Sequence, residues 1–257
     1  MKHIASLSGG LDSSIMYLFL TGYLKGGICA DDVTPVFTDP GKEHPHTYAM
    51  LDTLEQMTGK EIVRLRGPTW EQALEAHSWF LPFHRARWCT AMFKIKPFEA
   101  YVRGQQIESY IGLRADEAER KGYLGDSGTQ IEPRYILREM GVTRADIEAE
   151  AKRIGLPPTG LWSCGCCPFK THFLQVKMIE EQPKMAEWMA WVEDEKKRRG
   201  AGGYTWVRGY TMRQLIDNHL IRAEIKRRWW SKHHSEAQMS FLSDEPEEQP
   251  CLMCRVK

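Results

Sequence analysis

No stretch of this sequence approaches the roughly 18 consecutive apolar residues that a membrane-spanning helix needs. An excess of one charge sign is missing as well. Thirty-five Lys and Arg stand against 34 Asp and Glu, a net of +1, so no global field points to a polyanionic or membrane-surface partner. There is no internal repeat and no low-complexity tract, which excludes solenoids and disordered scaffolds. Met1-Lys2 leads directly into a short apolar stretch and a glycine-rich turn, without the charged, long-apolar, small-residue order of a secretion signal. These absences predict a cytoplasmic protein. At 257 residues it is long enough for one large domain or a domain with an appendage.

What is present has a clear order. His3 to Leu7 reads as a strand, Gly9-Gly10 as a turn, and Ser13 to Leu20 as a buried helix. Further strands are expected at Val33–Thr38, Glu61–Leu65 and Ser109–Leu113, with a helix from Thr47 to Thr58 closed by Gly59. This alternation predicts an α/β fold, a parallel twisted sheet with helices on both faces, whose ligands bind at the carboxyl ends of the strands. From about residue 143 the pattern turns helical: Thr143 caps a helix that ends at Gly155, and longer helical segments follow at 172–199 and 210–230. The expected organisation is a nucleotide-binding α/β domain over 1–142, a helical part over 143–242 and a tail over 243–257 that ends in Cys251-Leu252-Met253-Cys254.

The turn after the first strand, Ser8-Gly9-Gly10-Leu11-Asp12-Ser13-Ser14, has the composition of a phosphate cradle. Glycines let backbone amides approach an anion, small hydroxyls add donors, and the following helix presents its positive end. Asp12 alone is out of character. A carboxylate beside phosphates repels them unless a divalent cation intervenes, which points to a magnesium-assisted site.

That string resembles the PP-loop of the ATP pyrophosphatases, in the adenine-nucleotide α-hydrolase superfamily with its HUP-like fold. Four further segments narrow the resemblance to the phosphoadenosine phosphosulfate (PAPS) reductase-like subgroup, which also includes the DNA phosphorothioation sulfurtransferase. Val36 to Glu43 resembles an Asp-Thr-Gly-x-Glu segment, with Pro40 replacing the Thr. Arg87-Trp88-Cys89-Thr90 with Lys94-Ile95-Lys96-Pro97 resembles the Cys and Lys-x-x-Pro segment, and Gly112 to Glu117, continuing to Arg120, the Gly-x-Arg-x-x-Glu segment. Cys164-Gly165-Cys166-Cys167-Pro168 resembles the second cysteine segment. The resemblance implies that Ser8, Gly9, Gly10, Ser13, Ser14, Asp39, Gly112 and Arg120 bind the nucleotide and that Asp12 and Arg114 are catalytic. Sulfonucleotide reductases of the family lack the central Gly-Gly-x-Asp and carry a Glu-Cys-Gly-Leu-His near the C-terminus. This chain has the former and lacks the latter, which moves the expectation from sulfonucleotide reduction towards cleavage of ATP at its α-phosphate for sulfur transfer. PAPS or adenylyl-sulfate reduction, and a non-catalytic nucleotide-binding subunit of a nucleic-acid modification complex, are the alternatives.

Clustered cysteines in a reducing compartment read as metal ligands or catalytic groups. Cys164, Cys166 and Cys167 within four residues, followed by Pro168, suggest a 4Fe–4S cluster, with zinc or plain buried thiols as alternatives. The resemblance implies Cys89 as the fourth ligand. Basic and aromatic residues mix over 222–234, leaving a nucleic-acid contact there, a sulfur-donor protein and a homo-oligomer as open partner readings.

Overall fold

The computed structural model describes residues 1–25, 32–117, 119–120, 130–157 and 164–233. The 243–257 tail with Cys251 and Cys254 lies outside them. In chain order the described elements begin with β1 (Lys2–Leu7), α1 (Leu11–Leu20), β2 (Val33–Asp39), α2 (Pro45–Thr58), β3 (Val63–Arg66) and α3 (Trp70–Ala76). A single turn, α4 (Trp88–Thr90), passes through a π-helical stretch (Ala91–Ile95) into α5 (Lys96–Val102). Then come β4 (Gln106–Ile111), a 3-10 turn (Ala115–Glu117), β5 (Gln130–Arg134), α6 (Ile136–Glu139), α7 (Arg144–Ile154), α8 (His172–Glu181), α9 (Pro183–Arg198), α10 (Met212–Asp217) and α11 (His219–His233).

The strands form one parallel sheet in the order β3-β2-β1-β4-β5. Side chains of β1 alternate between its faces. Ala5 and Leu7 join the core built with α1, α2 and α7, whereas Ile4 meets Val36, Ile107 and Val102 on the side of α5. Helix α1 is apolar almost all round because it lies inside that first core. Ile15, Met16, Tyr17, Leu18 and Leu20 have no exposed surface, and each contributes about 1.5–3 kcal/mol by leaving water. Leu18→Ala would open a cavity in that core at a cost of about 2–5 kcal/mol.

Packing divides the chain into two units. The first holds the described residues that fall within 1–68 and 90–157, and the second those within 69–89 and 164–233. Helix α7 therefore sits with the sheet, its Ile147 and Ala151 in the α1 core, rather than opening a helical domain at 143. Its ends form as the sequence implies, with a Thr143–Asp146 capping box and Gly155 left-handed at φ 72°. The helix expected over 172–199 is two helices. Gln182 leaves helical geometry (φ −129°, ψ 61°) and Pro183 starts α9, because proline suits a first turn and not an interior. Likewise 210–230 breaks at Asn218, whose Oδ1 accepts from the N–H groups of Leu220 (3.0 Å) and Ile221 (3.2 Å). Among the described residues no helix is long and apolar enough to cross a membrane.

Candidate functional site

β1 lies at the centre of the sheet, and the strand order reverses between it and β4; in sheets of this kind ligands bind at the carboxyl ends of the strands at such a point. The loop Ser8–Gly10 and the start of α1 occupy that place. Gly9 is left-handed (φ 75°), and a Cβ there would meet Thr47 Cγ2 at 2.5 Å. The hydroxyls bind one another. Ser13 Oγ accepts from Ser8 N (3.1 Å), contacts Ser8 Oγ (3.0 Å) and donates to the Gly10 carbonyl (3.1 Å), to which Ser14 Oγ also donates (2.9 Å). Gly10 is the N-cap of α1 and offers no side-chain cap, so the helix's first amides face the loop without an internal acceptor from that residue. From β4, Gly112 closes on this turn so tightly that a Cβ would stand 2.8 Å from Ser13 N and 2.9 Å from Ser13 Cα.

Arg114 reaches across from the end of β4. It is 9% exposed and donates to Asp12 Oδ2 (2.5 Å) and Asp116 Oδ1 (2.9 Å), with Glu117 at 3.7 Å. Glu117 in turn pairs with Arg120. Arg138 of α6, which the sequence did not single out, donates to the carbonyls of Glu117 (2.8 Å) and Arg120 (3.0 Å) and so fixes the arginine-bearing turn. Burial raises the Asp12 carboxyl above its ordinary value, and Glu117 adds to this; Arg114 opposes them, but its charge is shared among three carboxylates. For Arg114 the order is reversed: burial disfavours its charge, yet the acids around it outweigh that and hold it protonated.

Residues 2–124, from β1 through the arginine turn, match the family model described as the phosphoadenosine phosphosulfate reductase domain. This segment resembles that domain. An uncharacterized protein of Methanocaldococcus jannaschii is 30% identical over 119 residues, 45% of this chain and 23% of that protein, so the chain spans about a quarter of the length of that curated relative. A solved phosphoadenylyl-sulfate (PAPS) reductase from Candida auris, in phosphate complex, aligns over 61% of this chain and 74% of its own at 14% identity and a TM-score of 0.45.

At the end of β2, Asp39 is buried and fully engaged. Its Oδ1 accepts from Gly41 N (2.7 Å) and Tyr48 OH (2.8 Å), its Oδ2 from Arg66 Nε (3.1 Å) and Nη2 (2.9 Å). Four donors fill the acceptor capacity of a carboxylate. Asp39 thus fastens the turn at residues 39–41 and holds the guanidinium of Arg66, a neighbour the sequence reading missed. Burial, then Asp39 itself, pushes the Tyr48 phenol well above its ordinary range, so Tyr48 stays a donor. Lys94 stands 3.6 Å from buried Glu43.

The cysteine segment belongs to the second unit. Cys164, Cys166 and Cys167 are buried thiols and Cys89 is half-buried. The turn is closed by Cys167 N donating to the Cys164 carbonyl (3.1 Å), and Lys170 Nζ donates to the same oxygen. Gln175 Nε2 reaches the Cys167 carbonyl (3.4 Å). Thiolates sharing one tetrahedral zinc stand about 3.8 Å apart, from Zn–S bonds of about 2.3 Å. Among the described residues no three cysteine sulfurs lie within 4.8 Å of one another.

Helix α11 neutralises much of its own charge. Arg227 and Arg228 both pair with Glu224, Lys226 pairs with Glu180, and Arg222 donates to the carbonyls of Leu215 and Ile216. Trp229 stacks on Phe173 at 4.3 Å.

Proposed function

We propose that this protein binds ATP at the Ser8–Ser14 loop and cleaves it at the α-phosphate to activate an acceptor, with sulfur transfer as the outcome. The acceptor oxygen attacks the α-phosphorus and the bond to the β-bridging oxygen breaks. Pyrophosphate leaves onto the loop amides, and a sulfur or nitrogen nucleophile then displaces AMP from the adenylated acceptor. The observation that carries this reading is Asp12: a carboxylate set at the uncapped start of α1 and tied to Arg114. Three carboxylates, Asp12, Asp116 and Glu117, directly contact two guanidiniums, Arg114 and Arg120, so a triphosphate arriving there meets excess negative charge. Asp12 would hold a divalent cation such as Mg²⁺, which would offset that charge. Arg114, which lies against Asp12 at the start of α1, would clamp developing charge on the phosphates, the kind of preorganised stabilisation that dominates phosphoryl and adenylyl transfer.

The PAPS reductase domain match over 2–124 favours one second reading, reduction of a sulfonucleotide in the same loop. Anaerobically purified protein should therefore be given Mg²⁺–ATP and, separately, PAPS with a thiol reductant, and the products identified by mass spectrometry. AMP with pyrophosphate supports the first reading, sulfite with an adenosine bisphosphate the second, and binding without turnover makes the chain a nucleotide-binding subunit. Asp12→Ala should lower ATP turnover at least about 100-fold, the loss typical of removing one preorganised charge-stabilising group, and EDTA should weaken ATP binding. Full activity in Asp12→Ala would sink the assignment.

A further inference from the structure

Within the second unit three segments contain no acidic residue at all, in a chain whose net charge is only +1. They are 77–89, 164–172 and 200–213, and together they carry Arg85, Arg87, Lys170, Arg208 and Arg213. Two of them make the same structure. Phe83 and Ala86 bridge antiparallel around a two-residue tip, His84-Arg85, and Val207 and Tyr210 bridge around Arg208-Gly209. Both tips are exposed. The turns are tied to each other and to the cysteine segment between them. The ring of Tyr204 stacks on Phe83 (4.7 Å, 29°), the Arg87 guanidinium lies 5.3 Å over Phe169, and His172 Nε2 contacts the Arg208 carbonyl at 3.0 Å. The second turn is built rather than loose, because buried Glu193 accepts from both Trp206 N (2.9 Å) and Met212 N (2.7 Å). Tyr204 keeps 57% of its surface exposed although one face is covered by Phe83. The neighbouring acids of α3 are engaged elsewhere, Glu71 by Trp188 Nε1 and Glu75 by Trp79 Nε1 and Arg199.

We propose that this face, centred on Tyr204 with Arg85 and Arg208 on the two turn tips beside the cysteine segment, binds unpaired nucleic acid. The arginines would take backbone phosphates, and the open face of the Tyr204–Phe83 stack would take a base. Charge complementarity and the aromatic platform select this occupant. A duplex buries its base faces and cannot use the ring, and an acidic peptide would use the arginines but not the stack. On helix α11 the two exposed arginines share Glu224, and the ring of Trp229 is stacked on by both Phe173 and His233 rather than open. The inference deepens the proposed function by naming the acceptor class, and it rests on that reading only for the role of the strand as acceptor.

The test is a fluorescence-anisotropy titration of the full chain with labelled 12-nucleotide single-stranded RNA, single-stranded DNA of the same sequence and the corresponding duplex, over a salt series. Single strands should bind more tightly than duplex. Tyr204→Ala should weaken single-strand binding about 5- to 100-fold, as loss of one stacked base does. Replacing Arg85 and Arg208 together by Ala should weaken it at least tenfold and reduce the slope of log K against log salt by about 1.4, from about 0.7 per phosphate lost on a single strand. Arg227→Ala with Arg228→Ala should change little. No binding to any strand, equal binding of duplex, or loss of binding only in the α11 variant would each overturn the proposal. Whether RNA or DNA binds more tightly names the source of the strand. ATP turnover measured on the same preparations is a separate readout: strand binding through these residues without ATP cleavage would retain this inference and reject the proposed reaction.

Discussion

Gly112 shows how one missing side chain sets the site. It ends β4 where the strand meets the first turn of α1, and its hypothetical Cβ contacts only backbone: Ser13 N, Ser13 Cα and the Asp12 carbonyl carbon, at 2.8–3.0 Å. Backbone cannot swing aside as a flexible side chain can, so Gly112→Ala must push α1 from β4 and pull Asp12 from Arg114. The expected cost is about 1–3 kcal/mol, the usual range for overpacking a tight contact, with a parallel loss of ATP affinity. Gly202→Ala, where a Cβ would meet nothing within 4 Å, should stay within about 0.5 kcal/mol of the parent. Thermal unfolding and ATP titration of both variants check this; a Gly112→Ala protein with parental affinity would show that the close approach is incidental to the site. From the sequence the residues of the loop and the arginine turn could be named, because they sit in short contiguous strings. Their supports could not. Arg138, Tyr48 and Arg66 reach their partners from 18 to 27 or 9 residues away, by contacts that exist only once β2, β3, α2 and α6 are in place.

Elements with local signals were legible for the same reason. The Thr143 capping box and Gly155 delimit α7 almost to the residue, and the apolar runs locate four of the strands. β5 was not legible, since Gln130-Ile131-Glu132-Pro133-Arg134 contains a proline that argues against a central strand; as the edge strand it tolerates one. β4 and β5 also carry a polar network that periodicity hides. Glu108, buried, accepts from Arg134 Nη1 (2.6 Å) and Tyr110 OH (3.0 Å) and lies 2.8 Å from His3 Nδ1 on β1, so three neighbouring strands share one carboxylate. Burial first, then the hydrogen bond to Glu108 and its charge, pushes the Tyr110 phenol up to about 12. An unfolded tyrosine titrates near 10. The preference of the fold for protonated Tyr110 is therefore fully present below pH about 10 and is lost as pH rises from there through about 12. In urea titrations across that window the stability difference between wild type and Tyr110→Phe should shift against the wild type. A difference that stays constant from pH 9 to 12 would mean the phenol does not feel Glu108.

Taken whole, the molecule places its two kinds of chemistry in different units: the phosphate loop with its Asp12–Arg114 pair in the sheet-bearing one, and all four candidate ligand cysteines in the other. Cys89 comes to the second unit because the segment 69–89 leaves the sheet after β3 and folds with residues far along the chain. That excursion explains why the sequence, read as consecutive domains with a boundary at 142, could pair Cys89 with Cys164–Cys167 only through family resemblance. It also gives the cluster proposal a consequence that zinc does not share. Cys166 has no exposed surface and Cys164 and Cys167 little, so a cluster held there would be shielded from solvent and oxidant on that side. Anaerobic purification should yield a brown protein with about four irons and four sulfides per chain. Cys89→Ser should bleach it, and air should bleach the parent slowly. Removing the group should lower the melting temperature as well, since four ligands from segments 75 residues apart in sequence would no longer be joined. A colourless protein with one zinc per chain, or a brown one that keeps its absorbance in Cys89→Ser, would refute the cluster or its fourth ligand respectively, and iron, sulfide and zinc analysis of the two proteins side by side tells these outcomes apart.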